Sequence, residues 1–231
     1  MRLNLLHLLR LFFASLLLQA SWSFHSVQSL GFLFTVLTGI ERKKREDFLA
    51  QNSRIFFNTH PYMAGFIIGA VIKGYENNED AESLRKHIMV GQSTFASTGD
   101  MLFWQTIRPA TALLGVILGL KFGIIGPIIS LILYNILHLY FRFYGFVAGY
   151  NEGWDVIYTL KGKKFLLTQR IFETVGAFLT GLLPVVLNKD LNLIFLIPLS
   201  GVFLILLWKR VAPILILTFV FILIIINLVL L

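Results

Sequence analysis

Four apolar runs, at residues 109–141, 171–187, 191–208 and 211–231, constrain this chain more than any single motif does. A helix that crosses a bilayer needs about 20 mostly apolar residues, and the last three runs approach or reach that length. Charged residues are 14% of the chain, against about 25% in soluble domains. Backbone polar groups in lipid must bond within the protein, which favours helices. The expectation is a single all-α integral membrane domain over residues 1–231. It would have N-terminal amphipathic helices, broken or re-entrant membrane segments, and about three C-terminal transmembrane helices.

Charge placement sets the expected topology. The net charge of +8 could suit nucleic acid, but the basic residues fall between apolar runs, as in cytoplasmic loops. The clusters at 41–47 and 161–170 are therefore expected inside, with the lipid bilayer rather than nucleic acid as partner. Residues 171–187 then run outward, 188–192 turn outside, 191–208 return, and 211–231 leave Leu231 external. The absence of cysteine excludes disulfides, thiolate metal sites and a phosphocysteine. The histidines are scattered without metal-ligand spacing, and no glycine-rich loop precedes a Lys-Ser/Thr pair. No catalytic residue, metal or cofactor is expected.

Residues 3–18 are apolar apart from Asn4, His7 and Arg10. They fit either a secretory leader or a membrane-entering helix that stays, and Arg10 inside the apolar part favours the second. In residues 19–40 an apolar stripe at Ala20, Phe24, Val27, Gly31 and Phe34 has helical spacing, predicting an amphipathic helix. Pro61 stops the helix before it, since the residue preceding a proline avoids the helical region. The apolar run 63–72 is too short to span and predicts a partial or re-entrant element. Residues 73–87 predict a solvated loop and a short helix. Gly126-Pro127 interrupts the 109–141 run. It marks either a broken segment of the kind found at transporter sites or a tight turn between two helices. Gly145, Gly149 and Gly153 recur every four positions, spacing that lets helices approach closely.

Candidate site residues are the polar groups set in apolar surroundings. Asp100 and Arg108 lie eight apart, and an isolated charge near lipid is costly unless paired or wetted. They suit an ion pair, a partner chain or a solute path. Asn58, Thr59 and His60 precede Pro61 and either cap the next helix or meet a solute. His60 has no neighbouring base to support a phosphate-carrying role. Trp104 suits a membrane interface or stacking on a sugar ring. Asn135 suits an interhelical hydrogen bond or a solute contact.

These residues carry a resemblance. Gln19-Ala20-Ser21-Trp22, Gln28-Ser29-Leu30-Gly31-Phe32, Phe57-Asn58-Thr59-His60-Pro61 with Gly65 and Gly69, and Gly99-Asp100 with Leu102-Phe103-Trp104 and Arg108-Pro109 occur in order. Gly126-Pro127, Tyr134-Asn135, Arg142, Tyr144-Gly145 and Gly149-Tyr150 continue the series. Together they resemble the enzyme IID component of the mannose/fructose/sorbose class of the bacterial phosphotransferase system. The resemblance implies a multi-pass subunit of the bacterial cytoplasmic (inner) membrane that pairs with enzyme IIC as a hetero-oligomer. The pair would carry a hexose that soluble enzyme IIB phosphorylates with phosphate relayed through IIA. The D subunit itself would form no phosphoenzyme. A diverged interaction or regulatory protein that moves no sugar is the alternative.

Three departures stand out. Ser93-Thr94-Phe95-Ala96-Ser97-Thr98 replaces a Gly-Pro-Leu-Ala-Gly run, so the local hairpin is expected to differ. His25-Ser26 stands where relatives often carry a charged pair, and the connection after Leu187 is short.

Overall fold

The computed structural model describes residues 4–187, and those residues contain helices and no strand. The chain divides into two compact units, Met1–Leu183 and Pro184–Leu231, of which the first is described below. The segments expected at 191–208 and 211–231, and the external C-terminus, lie outside the described residues.

Helix α1 (Leu5–Leu16) is capped by Asn4, whose side chain accepts from the His7 N–H. Its Leu11 and Ala14, with Leu18 just beyond, are buried against α2 (Ser29–Gly39) and α7 (Ile125–Glu152). The helix predicted over 19–40 forms only from Ser29 onward. Upstream, Ser23 and Val27 exchange two main-chain hydrogen bonds, Val27 sits at φ +55°, and Phe24 is 98% exposed. Tertiary pairing overrides the helical spacing here: the Gln28 N–H donates to the Phe57 carbonyl at 2.9 Å, tying this turn to a distant loop.

A 3-10 turn (Arg42–Lys44) leads into α3 (Arg45–Asn52). After Pro61 comes α4 (Ala64–Glu76), in which only Lys73 and Glu76 are not fully buried. It is about 20 Å long at 1.5 Å per residue, too short to span a bilayer, and it is enclosed by protein on nearly every side. The solvated loop expected over 73–87 shrinks to a turn around Asn78, because Asp80 starts a long helix at once. Its carboxylate accepts from the Glu82 and Ser83 N–H groups.

That helix is α5 (Ala81–Gly99). It continues through a π-helical segment (Asp100–Ile107) into α6 (Arg108–Phe122), making one rod of 42 residues. No hairpin forms at 93–98. Without the glycines and proline the stretch is helical, and Ser93 and Thr94 turn their hydroxyls back onto the carbonyls of Met89 and Val90. The π segment abuts Pro109, which lacks an N–H for the preceding turn. Thr106 Oγ1 donates five residues back to the Met101 carbonyl at 2.8 Å, and Thr111 Oγ1 donates to the carbonyls of Ile107 and Arg108.

The interruption near Gly126-Pro127 is a tight turn at Gly123-Ile124, with Gly126 and Pro127 already in α7. Gly123, at φ +61°, ends α6, and Pro127 lies in the first turn of α7, where its missing N–H costs nothing. A Cβ on Gly126 would stand 2.2 Å from the Gly119 nitrogen, so the hairpin closes only on glycine. Farther along, α7 interlocks with α4. A Cβ on Gly69 would meet the Phe146 carbonyl at 2.6 Å, and one on Gly149 the Phe66 carbonyl at 2.1 Å. The four-residue glycine spacing therefore encodes this α4–α7 joint. A 3-10 helix (Gly153–Lys161) folds back along α7, and α8 (Lys163–Leu187) follows. Two described segments, Ala81–Phe122 and Ile125–Lys161, are long and apolar enough to cross a membrane.

Candidate functional site

The loop before α4 is built by two glutamines. The buried Gln28 side chain pairs with Thr59 as a neighbouring strand would: Nε2 donates to the Thr59 carbonyl at 2.9 Å, and Oε1 accepts the Thr59 N–H at 3.1 Å. Gln92 on α5 accepts the Asn58 N–H through Oε1, and its main-chain carbonyl accepts from Thr59 Oγ1. These four bonds satisfy a loop that would otherwise bury unpaired backbone groups.

So held, the loop delivers His60 and Tyr62 into an aromatic joint. His60 is 2% exposed and stacks on Phe103 of the π segment at 5.2 Å, with Trp104 and Tyr62 edge-on. Its Nδ1 accepts the Tyr62 N–H at 3.3 Å, fixing the proton of the neutral ring on Nε2. Burial, with the Arg142 guanidinium and His138 nearby, pushes His60 down to about 4. Tyr62 in turn stacks on His138 at 4.4 Å and accepts from the Tyr134 hydroxyl. Arg142 lies over the Tyr62 ring, 5.5 Å from its centre, and reaches Ser15 on α1. Three buried nitrogens of this joint, His60 Nε2, His138 Nδ1 and Arg142 Nε, have no hydrogen-bond partner among the described residues. The joint thus links loop, π segment, α7 and α1, and it carries unused polar capacity at its centre.

Of the six residues singled out from sequence, the structure brings His60 and Trp104 together here. The other four point elsewhere. Asp100 is half-buried and Arg108 exposed, and among the described residues neither forms an ion pair, so they do not pair with each other. The Asn58 side chain is exposed. Asn135 is exposed too, its amide donating to the Leu131 carbonyl of its own helix at 2.7 Å rather than across to another. Sequence reasoning missed Tyr62, His138 and Gln92 and gave Arg142 no role. Tyr134, His138 and Arg142 are spaced by four, one face of α7, and that polar stripe in an apolar helix was the available signal.

The comparisons bear on all of this. A model of the PTS system mannose/fructose/sorbose family IID component matches residues 2–189. The mannose-specific EIID component of Escherichia coli K12 is 32% identical over 182 residues, 74% of this chain and 64% of that protein. The chain therefore spans less than two thirds of that relative's length. The sorbose-specific EIID component of Lacticaseibacillus casei is 32% identical over 71% of this chain and 62% of its own length. The fructose permease IID component of Bacillus subtilis 168 is 29% identical over 79% and 70%. In fold, the chain is similar to one in the cryo-EM structure of the mannose transporter ManYZ with microcin E492, at TM-score 0.60 and 24% identity, covering 99% of this chain and 97% of that one. A second solved structure, described as a membrane protein, matches at TM-score 0.70 and 24% identity over 99% and 98%. With its loop, π segment and glycine-spaced helices matched by a family model over most of its length, the chain belongs to the mannose/fructose/sorbose family of phosphotransferase-system IID components.

Proposed function

We propose that this chain is the IID membrane subunit of a sugar-transporting phosphotransferase permease. It works with an enzyme IIC partner to move a hexose across the bacterial cytoplasmic membrane. Enzyme IIB phosphorylates that hexose with phosphate passed on by IIA. The family membership supports this reading, and one structural observation carries it: among the described residues Asp100 and Arg108 form no ion pair and the Asn135 amide bonds only within its own helix, all three on apolar helices. A charge or amide left in that setting is costly unless a second chain or water meets it. The expected complement is the IIC subunit, giving a hetero-oligomer. The region around Pro61, with the His60–Tyr62 joint and the π segment packed on it, and the turn before Gly126-Pro127 line the part that shifts in alternating access. The basic clusters at 41–47 and 161–170 face the cytoplasm, and the C-terminus lies outside.

The test is reconstitution with the C, A and B proteins. Phosphoenolpyruvate-dependent sugar phosphorylation should appear, and omitting this chain should abolish it; unchanged activity on omission refutes the proposal. Because the chain has no native cysteine, Asn135→Cys carrying a photo-crosslinker should yield one adduct with the IIC subunit.

A further inference from the structure

We propose that a cavity of about 350 Å³ between the C-terminal half of α7 and the start of α8 binds the headgroup region of one anionic phospholipid. Its floor is aromatic: Phe66, Phe141 and Phe165 are buried there, with Tyr144 beside them. Lys163 and Lys164 stand on its rim, both exposed, and neither pairs with an acid among the described residues. Among the described residues no acidic side chain lines it. A second, smaller recess, lined by Lys163, Leu166, Leu167 and Arg170, adjoins it and adds another cation.

The distribution of exposed apolar side chains says what covers this place. Along α7, Ile128, Leu131, Ile132, Ile136 and Leu139 are exposed up to Tyr140, and between Tyr140 and Tyr158 no large apolar residue is. On α8 the exposed apolar series begins at Leu166 and continues through Leu167 and Ile171. The cavity lies where the α7 series ends and the α8 series begins. Phe103 packs on Phe141 and Phe141 on Phe165, so their exposed chain neighbours Trp104, Tyr140 and Lys164 gather in one region. Aromatic residues with lysines at one level of a helix stack mark the headgroup boundary, and a basic pocket between helices at that boundary suits an anionic headgroup. The acyl chains would lie along the exposed faces of α7 and α8, with the phosphate on the two lysines. This rests on the membrane placement proposed above.

The experiment is native mass spectrometry of the delipidated full-length chain in detergent, titrated with phosphatidylglycerol or phosphatidylcholine. One phosphatidylglycerol should bind in preference to phosphatidylcholine. Replacing both lysines (Lys163→Gln, Lys164→Gln) should weaken it about thirtyfold, roughly what two basic residues supply against an anionic surface. Lys43→Gln with Lys44→Gln, outside this cavity, should leave it unchanged. Equal retention of the two lipids, an unaffected Lys163/Lys164 variant, or displacement by excess inorganic phosphate overturns the lipid site alone. Recovery of the chain from the soluble fraction without detergent overturns the membrane placement as well.

Discussion

The Arg142 guanidinium donates to both the carbonyl and the hydroxyl of Ser15, a residue 127 positions away. Ser15 lies in the last turn of α1, at the negative end of the helix dipole, and that turn carries no basic residue of its own. Arg142 supplies that missing cation from α7 and also covers the Tyr62 ring. Arg142→Met should therefore cost about 2–3 kcal/mol through lost charge-assisted bonds. Arg142→Lys should cost less but not zero, since one ammonium cannot reproduce the planar fork. Thermal unfolding in detergent measures both, and equal stability of Arg142→Met and the wild type would disprove the cap.

Gln28 and Thr59 form the second long-range tie, and it is a backbone mimic rather than a charge. Gln28→Leu keeps the volume but strands the Thr59 N–H and carbonyl in a buried site. Each unsatisfied group costs about 1–3 kcal/mol, so the variant should be among the least stable single substitutions in the loop. Gln28→Glu retains the acceptor and loses the donor, and its melting temperature should fall between the two.

These ties explain what could be read from the sequence and what could not. The apolar runs and glycine spacing pointed to an all-helical chain and to a close helix approach, because both depend on local period and side-chain size; that α4 is the partner was not legible. The 19–28 segment misled because Ser23–Val27 pairing and the Phe57 carbonyl outweigh a helical stripe. Gly126-Pro127 stayed ambiguous because a turn and a break share the same residues; only the approach of Gly126 to Gly119 distinguishes them. Of the candidate site, His60 was visible from its place before a proline. Its partners Tyr62, Phe103 and His138 come from three elements, whose convergence no local pattern reports.

Val27 holds a β-branched side chain at φ +55°. The left-handed region costs a residue with a Cβ about 1–2 kcal/mol, and the side chain is only half-buried. Val27→Gly should therefore raise stability by about 1 kcal/mol, visible as a higher melting temperature, whereas Val27→Ile should not.

The α4–α7 joint predicts a sharp contrast between two glycines. Gly149→Ala places a methyl 2.1 Å from the Phe66 carbonyl, a main-chain atom that cannot swing aside, so the helices must separate. Overpacking of this kind costs about 1–3 kcal/mol or more, and the yield of folded protein should fall. A Cβ at Gly181 on α8 meets nothing within 4 Å, so Gly181→Ala should be neutral or stabilise by up to about 1 kcal/mol. Equal expression and melting of the two variants would show that the close approach is absent.

His60 sets a pH dependence whose sign is fixed. Its folded value of about 4 lies below the ordinary 6.5, because burial against Phe103 disfavours the charged ring. The unfolded chain then binds the proton more readily than the folded one. Stability is complete above about pH 6.5 and declines as pH falls toward 4. His60→Phe keeps the stacking on Phe103 but cannot be protonated, so its melting temperature should fall less than the wild type's over that interval. Parallel curves for the two proteins would mean that His60 is not shielded as the joint requires.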